Sequence, residues 1–463
     1  MKIIILGAGR VGESLAESLV SERNDITVID TDVKRLAALQ DRFDLRTVLG
    51  HAASPSVLRA AGAEDADMLI ATTQSDETNL VACHLAAQGF NVPKRIARVR
   101  SSEFQDHPEL VGEGAFSVDH LIVPEKAVTD TIARLVEFPE ALQVLEFANG
   151  RVSLIAVRAV AGGQLVQRPI REIRGHIPKV DSRIVAVFRG ESTLYPDGDT
   201  MIEPGDEVFF LAATEHIRTV MTELRKMDQP VRRVMIAGGG RIGLRLARAL
   251  GERLDVRIIE ADPRRCEDIA AELPSKVLVL QGDATDEDLL DEESVGSMDL
   301  FCALTSDDES NIMSSLLARK MGARRVIALV NRRAYADLVE GGRIDIAIVP
   351  AQATIGSLLT HVRRGDVVAV HSLRRGAAEA LELIAHGDAR SSRVVGRRIE
   401  QIALPEGAII GAMVRERIGG RHEVVIAHHD TVIEPEDHVI VFVANRKMIP
   451  KVEQLFQVGV GFF

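Results

Sequence analysis

The sequence predicts an α/β protein with two doubly wound parallel sheets, each followed by a small α+β module. Three observations carry this. The chain opens MKIIILGAGRVG, an apolar run that enters a glycine-rich turn directly. Apolar strand-like and amphipathic helix-like segments then alternate at the spacing of βαβ units. Finally, the whole pattern occurs twice in the 463 residues.

The first copy reads in order as a strand at 2–6, a helix at 10–21, a strand at 26–30, a helix at 32–42 and a strand at 45–49. A short helix at 55–61, a strand at 67–72, a helix at 76–88 and a strand at 95–99 follow. A strand near 118–123 and a helix at 124–137 complete it. In helix 76–88, Leu80, Ala82, Cys83, Ala86 and Ala87 share one face. Strands alternating with helices at this spacing require a parallel sheet with right-handed crossovers. The residues that follow read differently. LQVLEFA, VSLIAVRAV, RIVAVFR and DEVFFLAA are strands, REIRGH lies in a short helix, and the Pro-Gly-Asp of MIEPGDEV is a turn between strands.

The second copy repeats the first segment by segment. IIILGAGRVG (3–12) returns as VMIAGGGRIG (234–243), and ITVIDTDVKR (26–35) as VRIIEADPRR (256–265). LIATTQSDETN (69–79) returns as FCALTSDDESN (301–311), and MIEPGDEVFFLA (201–212) as VIEPEDHVIVFV (432–443). The expected boundaries are 1–138 and 231–364 for the two larger domains, and 139–230 and 365–463 for the modules.

Composition limits the function. Net charge is −12, so there is no basic surplus to displace counterions from nucleic acid. The same acidity opposes binding to anionic lipid by charge alone. No stretch approaches the ~20 apolar residues that span a bilayer. The apolar start leads straight into the glycine turn without a cleavage site, so it is a first strand and not a signal peptide. The three cysteines are far apart and form no CxxC, as expected for thiols packed as small hydrophobes in a reducing compartment.

Gly7, Ala8, Gly9, Arg10, Val11 and Gly12 have the G-x-G-x-x-G spacing. Gly7 permits the tight strand-to-helix turn, Gly9 lets a diphosphate approach the backbone, and Gly12 lets helix and strand pack closely. The helix then starts beneath the diphosphate with its free N–H groups and its positive dipole end. Asp30 ends the next strand, where it can accept hydrogen bonds from ribose hydroxyls and repel a 2′-phosphate, favouring NAD over NADP. Gly238, Gly239, Gly240, Arg241, Ile242 and Gly243 with Glu260 repeat the arrangement, which makes a purely packing role for the glycines the weaker reading.

Ligands of doubly wound sheets bind at the carboxyl ends of the strands. Thr73 and Gln74, at the end of the fourth strand, can hydrogen-bond a nucleotide; Ser75 or Asp76 can cap the following helix. Thr305 is the counterpart of Thr73. Arg98, at the end of the fifth strand, can meet a phosphate or make an ordinary surface ion pair. RVIALV puts Ala328 at that position in the second copy, so the second site is expected to be weaker or to prefer another ligand.

The tandem arrangement resembles the TrkA family, cytosolic regulatory subunits of bacterial Trk potassium uptake systems built from RCK domains. The resemblance spans the chain and rests on IILGAGRVG, ITVID, DADMLIATTQSDETN, RIARVR, VDHLIVPE, MGARRVIALVNRRAYADLV and SSRVVGRRI. It implies binding of NAD(H), with ATP or ADP competing for the same cradles. It also implies a ring-forming homo-tetramer, peripheral on the cytoplasmic side of the inner membrane, that gates a potassium-translocating membrane subunit. Carried over by position, the NAD contacts are Gly7 to Val11, Asp30, Thr73, Gln74 and Arg98. In the second copy they are Gly238 to Ile242, Glu260 and Thr305.

The rival reading is an NAD-dependent oxidoreductase. Hydride transfer needs an acid or base beside the nicotinamide and a substrate pocket. Here a module of ~90 residues follows the first cradle, too small for the usual catalytic domain, and then the chain repeats. His51 stands where the second copy has Asp283, so that position holds no fixed acid–base group and reads as loop. His428 and His429, read as strand neighbours, would face opposite ways and not share a metal. The charges of RVRSSEF and RRGAAEALE read as solvated helix or turn. The terminal VGVGFF either docks on a neighbour or frays.

Overall fold

The computed structural model describes residues 1–20, 24–190, 192–227, 229–339, 342–363, 366–417 and 419–458. Most of VGVGFF, from 459 onward, lies outside the described residues, as does the expected boundary at 364/365.

The first sheet uses β1 (Lys2–Leu6), β2 (Asp25–Asp30), β3 (Arg46–Leu49), β4 (Met68–Ala71), β5 (Lys94–Arg98) and β6 (His120–Ile122) in the spatial order β3-β2-β1-β4-β5-β6. All its pairings are parallel. Its helices are α1 (Arg10–Val20), α2 (Val33–Arg42), α3 (Pro55–Ala60), α4 (Asp76–Phe90), α5 (Ser102–Asp106) and α6 (Pro124–Glu137). The strand order reverses between β1 and β4, which opens a crevice at their carboxyl ends. The apolar stripe of α1 (Val11, Leu15, Ala16, Leu19) is buried against the sheet, because these residues recur at helical spacing on one face. On α4, Asn79, Leu80, Ala82, Cys83, Ala86 and Phe90 are buried; Ala87, expected in the core, is only half-buried.

The first module is an antiparallel sheet of β7 (Ala141–Phe147), β8 (Val152–Arg158), β9 (Ser182–Arg189), β10 (Ser192–Leu194) and β11 (Glu207–Ala213), in the order β10-β9-β11-β8-β7. It carries α7 (Ile173–His176) and α8 (Ile217–Leu224); the sequence reading missed β10 and α8.

The second parallel-type sheet repeats the first. β12 (Arg233–Ala237), β13 (Asp255–Glu260), β14 (Leu278–Gln281), β15 (Leu300–Ala303), β16 (Val326–Leu329) and β17 (Ile346–Ile348) are ordered β14-β13-β12-β15-β16-β17. Its helices are α9 (Arg241–Gly251), α10 (Pro263–Glu272), α11 (Glu287–Glu292), α12 (Asp308–Lys320), α13 (Arg333–Val339) and α14 (Pro350–Val362). The second module has β18 (Val367–Leu373), β19 (Ala378–Ala385), β20 (Ala408–Arg417), β21 (Arg421–Ile426), β22 (Asp437–Val443) and α15 (Ile449–Phe456), with sheet order β18-β19-β22-β20-β21.

Two compact units result. One comprises residues 1–128 with 331–333 and 348–355; the other holds the rest, including both modules. Within the latter the module sheets share one apolar core, to which Phe147, Phe188, Phe209 and Leu211 contribute from the first and Ala380, Ala412, Ile440 and Phe442 from the second. Gly411 lies in this seam, where an added Cβ would overlap Leu211 and stand 3.2 Å from Val185 Cγ1.

Two expectations are corrected here. RRGAAEALE is not a solvated charge run: Glu379 and Glu382 lie in β19 and are 0% and 1% exposed. Ionic partners sustain their burial. Arg363 and Arg446 meet Glu379 at 2.6 and 2.7 Å, and His438 meets Glu382 at 2.6 Å. His428 and His429 follow β21 in a loop and are not on a strand; there His428 Nε2 meets Asp181 at 3.1 Å. Among the described residues no His/Cys/Asp/Glu group is arranged to hold a metal ion, and no helix is long and apolar enough to cross a membrane.

Candidate functional site: two nucleotide cradles

In each cradle the strand-to-helix turn depends on its first and third glycines. Gly7 and Gly238 adopt φ of +98° and +105°, a backbone region that residues with a Cβ avoid. A Cβ on Gly12 would overlap the carbonyl oxygen of Gly7, and one on Gly243 that of Gly238. A Cβ on the middle glycines, Gly9 and Gly240, would meet no protein atom within 4 Å. They therefore border open space above the helix start, where a diphosphate could reach the backbone. Gly240 is the N-cap of α9 and has no side chain with which to cap the first-turn N–H groups itself. These features fit a dinucleotide.

The acids hold the same position in both copies. Asp30 Oδ2 accepts the Ala8 amide at 2.6 Å, and its Oδ1 accepts the Asp32 amide at 2.8 Å. Glu260 Oε2 accepts the Gly239 amide at 2.7 Å, and its Oε1 the Asp262 amide at 3.0 Å. A carboxylate offers about four acceptor sites. One donor per oxygen leaves room for the two hydroxyls of a ribose. Asp32 and Asp262 in turn cap α2 and α10, each accepting two amides of the first turn.

At the end of β4, Thr73 is held from within. Asn79 Oδ1 accepts both the Thr73 amide (2.9 Å) and its hydroxyl (2.7 Å). Asn79 Nδ2 then donates to the carbonyl of Arg98 at 2.9 Å. Asn311 makes the same bonds to Thr305 at 2.9 and 2.7 Å and donates to the carbonyl of Leu329 at 2.9 Å. Both asparagines are 0% exposed. The sequence reading missed them. Their signal was an asparagine six residues after the threonine in both repeats, inside a helix start where polar side chains are ordinarily solvated. Ser75 caps α4, accepting the Thr78 amide, and Asp76 accepts the Arg100 and Ser101 amides at 2.8 Å each; Gln74 is exposed.

Arg98 ends β5 as expected, but its counterpart is not Ala328. Sheet register pairs Ala71 with Ala97 and Ala303 with Ala328. Ala328 thus matches Ala97, and the buried Leu329 matches Arg98. The stretch from the buried asparagine to the strand end is one residue shorter in the second repeat, nineteen positions from Asn79 to Arg98 against eighteen from Asn311 to Leu329, which shifts a match read from sequence alone. The arginine is still missing there. His51 is exposed in the loop after β3. Burial pushes the thiols of Cys83 and Cys302 up to about 12, so both stay protonated and serve as packing.

Two glycine-loop cradles on duplicated parallel sheets, each followed by an antiparallel module, define a tandem RCK-type protein. Residues 3–124 and 234–350 match the TrkA-N domain family, and residues 154–225 and 389–457 the TrkA-C domain family. The chain belongs to the TrkA family. It is 56% identical over 463 residues to the Trk system potassium uptake protein TrkA of Halomonas elongata, covering 100% of both chains. Among solved structures it is similar to the GsuK RCK domain, with a TM-score of 0.60, 18% identity and coverage of 98% of this chain and 94% of that one. It is also similar to a GsuK channel bound to NAD, with a TM-score of 0.60, 17% identity and coverage of 98% and 78%.

Proposed function

We propose that this chain is a nucleotide-sensing regulatory subunit of a Trk-type potassium uptake system. It binds NAD(H), and ATP or ADP, in its two cradles. It assembles as a homo-tetramer, peripheral on the cytoplasmic side of the inner membrane, and gates a potassium-translocating membrane subunit. The single observation carrying the nucleotide reading is the duplicated arrangement of a glycine loop whose amide is held by the acid ending the next strand. The full-length identity to a protein named for potassium uptake supports the transport role.

Loop amides from Gly7 to Gly12 hold the diphosphate, Asp30 the ribose hydroxyls, and Thr73, Gln74 and Arg98 the remaining polar groups. In the second cradle Gly238 to Gly243, Glu260 and Thr305 do the same, and Leu329 in place of the arginine gives that cradle a different preference. Sensing is differential binding: a nucleotide shifts the protein only by favouring one of its conformations. The division into 1–138, 139–230, 231–364 and 365–463 belongs to the same reading.

Titration calorimetry of the full-length protein with NADH tests this. Asp30→Asn leaves the Ala8 amide facing an amide side chain and should weaken the first site by at least about tenfold. Unchanged affinity rejects the assignment. Under the same conditions NADH absorbance should stay constant with small carbonyl substrates; turnover that survives purification would instead support an oxidoreductase.

A further inference from the structure

The cradles reach the same hydrogen-bond geometry with acids of different length. Asp30 and Glu260 each accept the second loop amide, at 2.6 and 2.7 Å, although Glu260 carries one more methylene. The extra atoms need space, and the loop residue supplies it. A Cβ on Gly239 would stand 2.9 Å from Glu260 Oε2 and 3.3 Å from Glu260 Cβ, and would overlap Ile269 Cδ1. The first cradle has Ala8 at this point, beside the shorter Asp30. Ile269 is 0% exposed, but the atom approached is the tip of its side chain, which can turn aside by rotation. Glu260 is only half-buried, and its carboxylate is the polar group that would have to move. Arg265 Nε holds the next peptide unit by donating to the Gly239 carbonyl at 3.2 Å, which restrains the loop from retreating.

We propose that the residue between the first two motif glycines is a positioning residue matched to the acid: Ala8 with Asp30, and Gly239 with Glu260. Each pair, and neither member alone, sets where the carboxylate meets the ribose of an adenosine nucleotide. The ligand part of this inference rests on the nucleotide-binding reading above; the geometric part does not. The pairing means that the second cradle cannot be converted to the first by exchanging the acid alone.

The test uses full-length protein and two readouts. In crystals without nucleotide, Gly239→Ala should displace the Glu260 carboxylate from the residue-239 amide, and the double variant G239A/E260D should return a carboxylate to hydrogen-bond distance. In calorimetry with NADH and separately with ADP, G239A should weaken the second site at least tenfold, and G239A/E260D should recover affinity to within threefold of wild type. Ala8→Gly with Asp30→Glu should behave likewise at the first site, with D30E alone the weaker binder. A G239A crystal that keeps the 2.7 Å bond overturns the pairing, as does a double variant that binds no better than G239A. If the wild type binds neither nucleotide, the functional reading fails, and the crystal comparison alone decides the pairing.

Discussion

Asn79 Nδ2 donates to the carbonyl of Arg98 at 2.9 Å, across nineteen residues of sequence. The same side chain accepts the amide and hydroxyl of Thr73, so one fully buried amide ties the end of β4 to the end of β5. Asn311 does the same in the second repeat. Removing it would leave buried backbone groups without partners. Asn79→Ala should therefore destabilise the protein by about 2–4 kcal/mol, on the basis of ~1–3 kcal/mol per orphaned group. Thermal unfolding of the full-length protein measures this; a loss under about 0.5 kcal/mol would contradict it.

The buried ion pair that joins the end of the second larger domain to the second module should respond more strongly still. Arg363 and Glu379 side chains are 2% and 0% exposed at 2.6 Å, and Arg446 meets the same carboxylate at 2.7 Å. The first module has the Ser153–Thr214 hydroxyl pair near the corresponding strand, with no charge to balance. Arg363→Met should cost about 3–5 kcal/mol, because a buried carboxylate loses a partner. Glu379→Gln should cost less in that background than in the wild type. Equal costs in both backgrounds would mean that the two side chains are not coupled.

His371 gives a pH signature. Its Nε2–H donates to the Glu146 carbonyl at 3.0 Å, and its ring meets Phe147 edge-on at 4.8 Å. Burial, with the nearby Arg134 charge adding to it, pushes its pKa down to about 4 against the bond to Glu146. The unfolded histidine takes up its proton near 6.5 and the folded one only near 4, so stability should fall as pH drops from about 6.5 to about 4. Above that range both states are neutral and the effect vanishes. NMR titration should find a low-titrating histidine that is lost in His371→Gln, and the variant should flatten this part of the pH–stability curve. A His371 titrating near 6.5 would disprove it.

The shared core of the two modules predicts an overpacking effect. Gly411→Ala places its Cβ against Leu211 and Val185 and should cost about 1–3 kcal/mol. Leu211→Ala in the same chain should relieve part of that cost, although it is destabilising by itself. Strictly additive losses would mean that the two positions do not touch.

Much of this protein was legible because it repeats. The glycine spacing, the acid at the end of the second strand and the strand–helix alternation are local patterns, and a second copy turned each from coincidence into design. The same local reading failed at Glu379 and Glu382. A charged segment looks solvated until its partners are known, and those partners come from Arg363, Arg446 and His438, distant in sequence. It failed again by one residue at Leu329, because the loss of one residue between the buried asparagine and the strand end leaves no mark that residue types alone reveal.

The sequence by itself determined the duplicated α/β architecture and the two glycine-acid cradles, since turn sterics and hydrophobic periodicity act over a few residues. Only the tertiary structure decided that Asn79 and Asn311 brace the strand ends and that the modules share a core. It also decided that Gly239 stands free of a Cβ because Glu260 and Ile269 fill its place. Each of these depends on which groups a folded chain brings within 3 Å, and packing is set by the whole fold and not by any one segment.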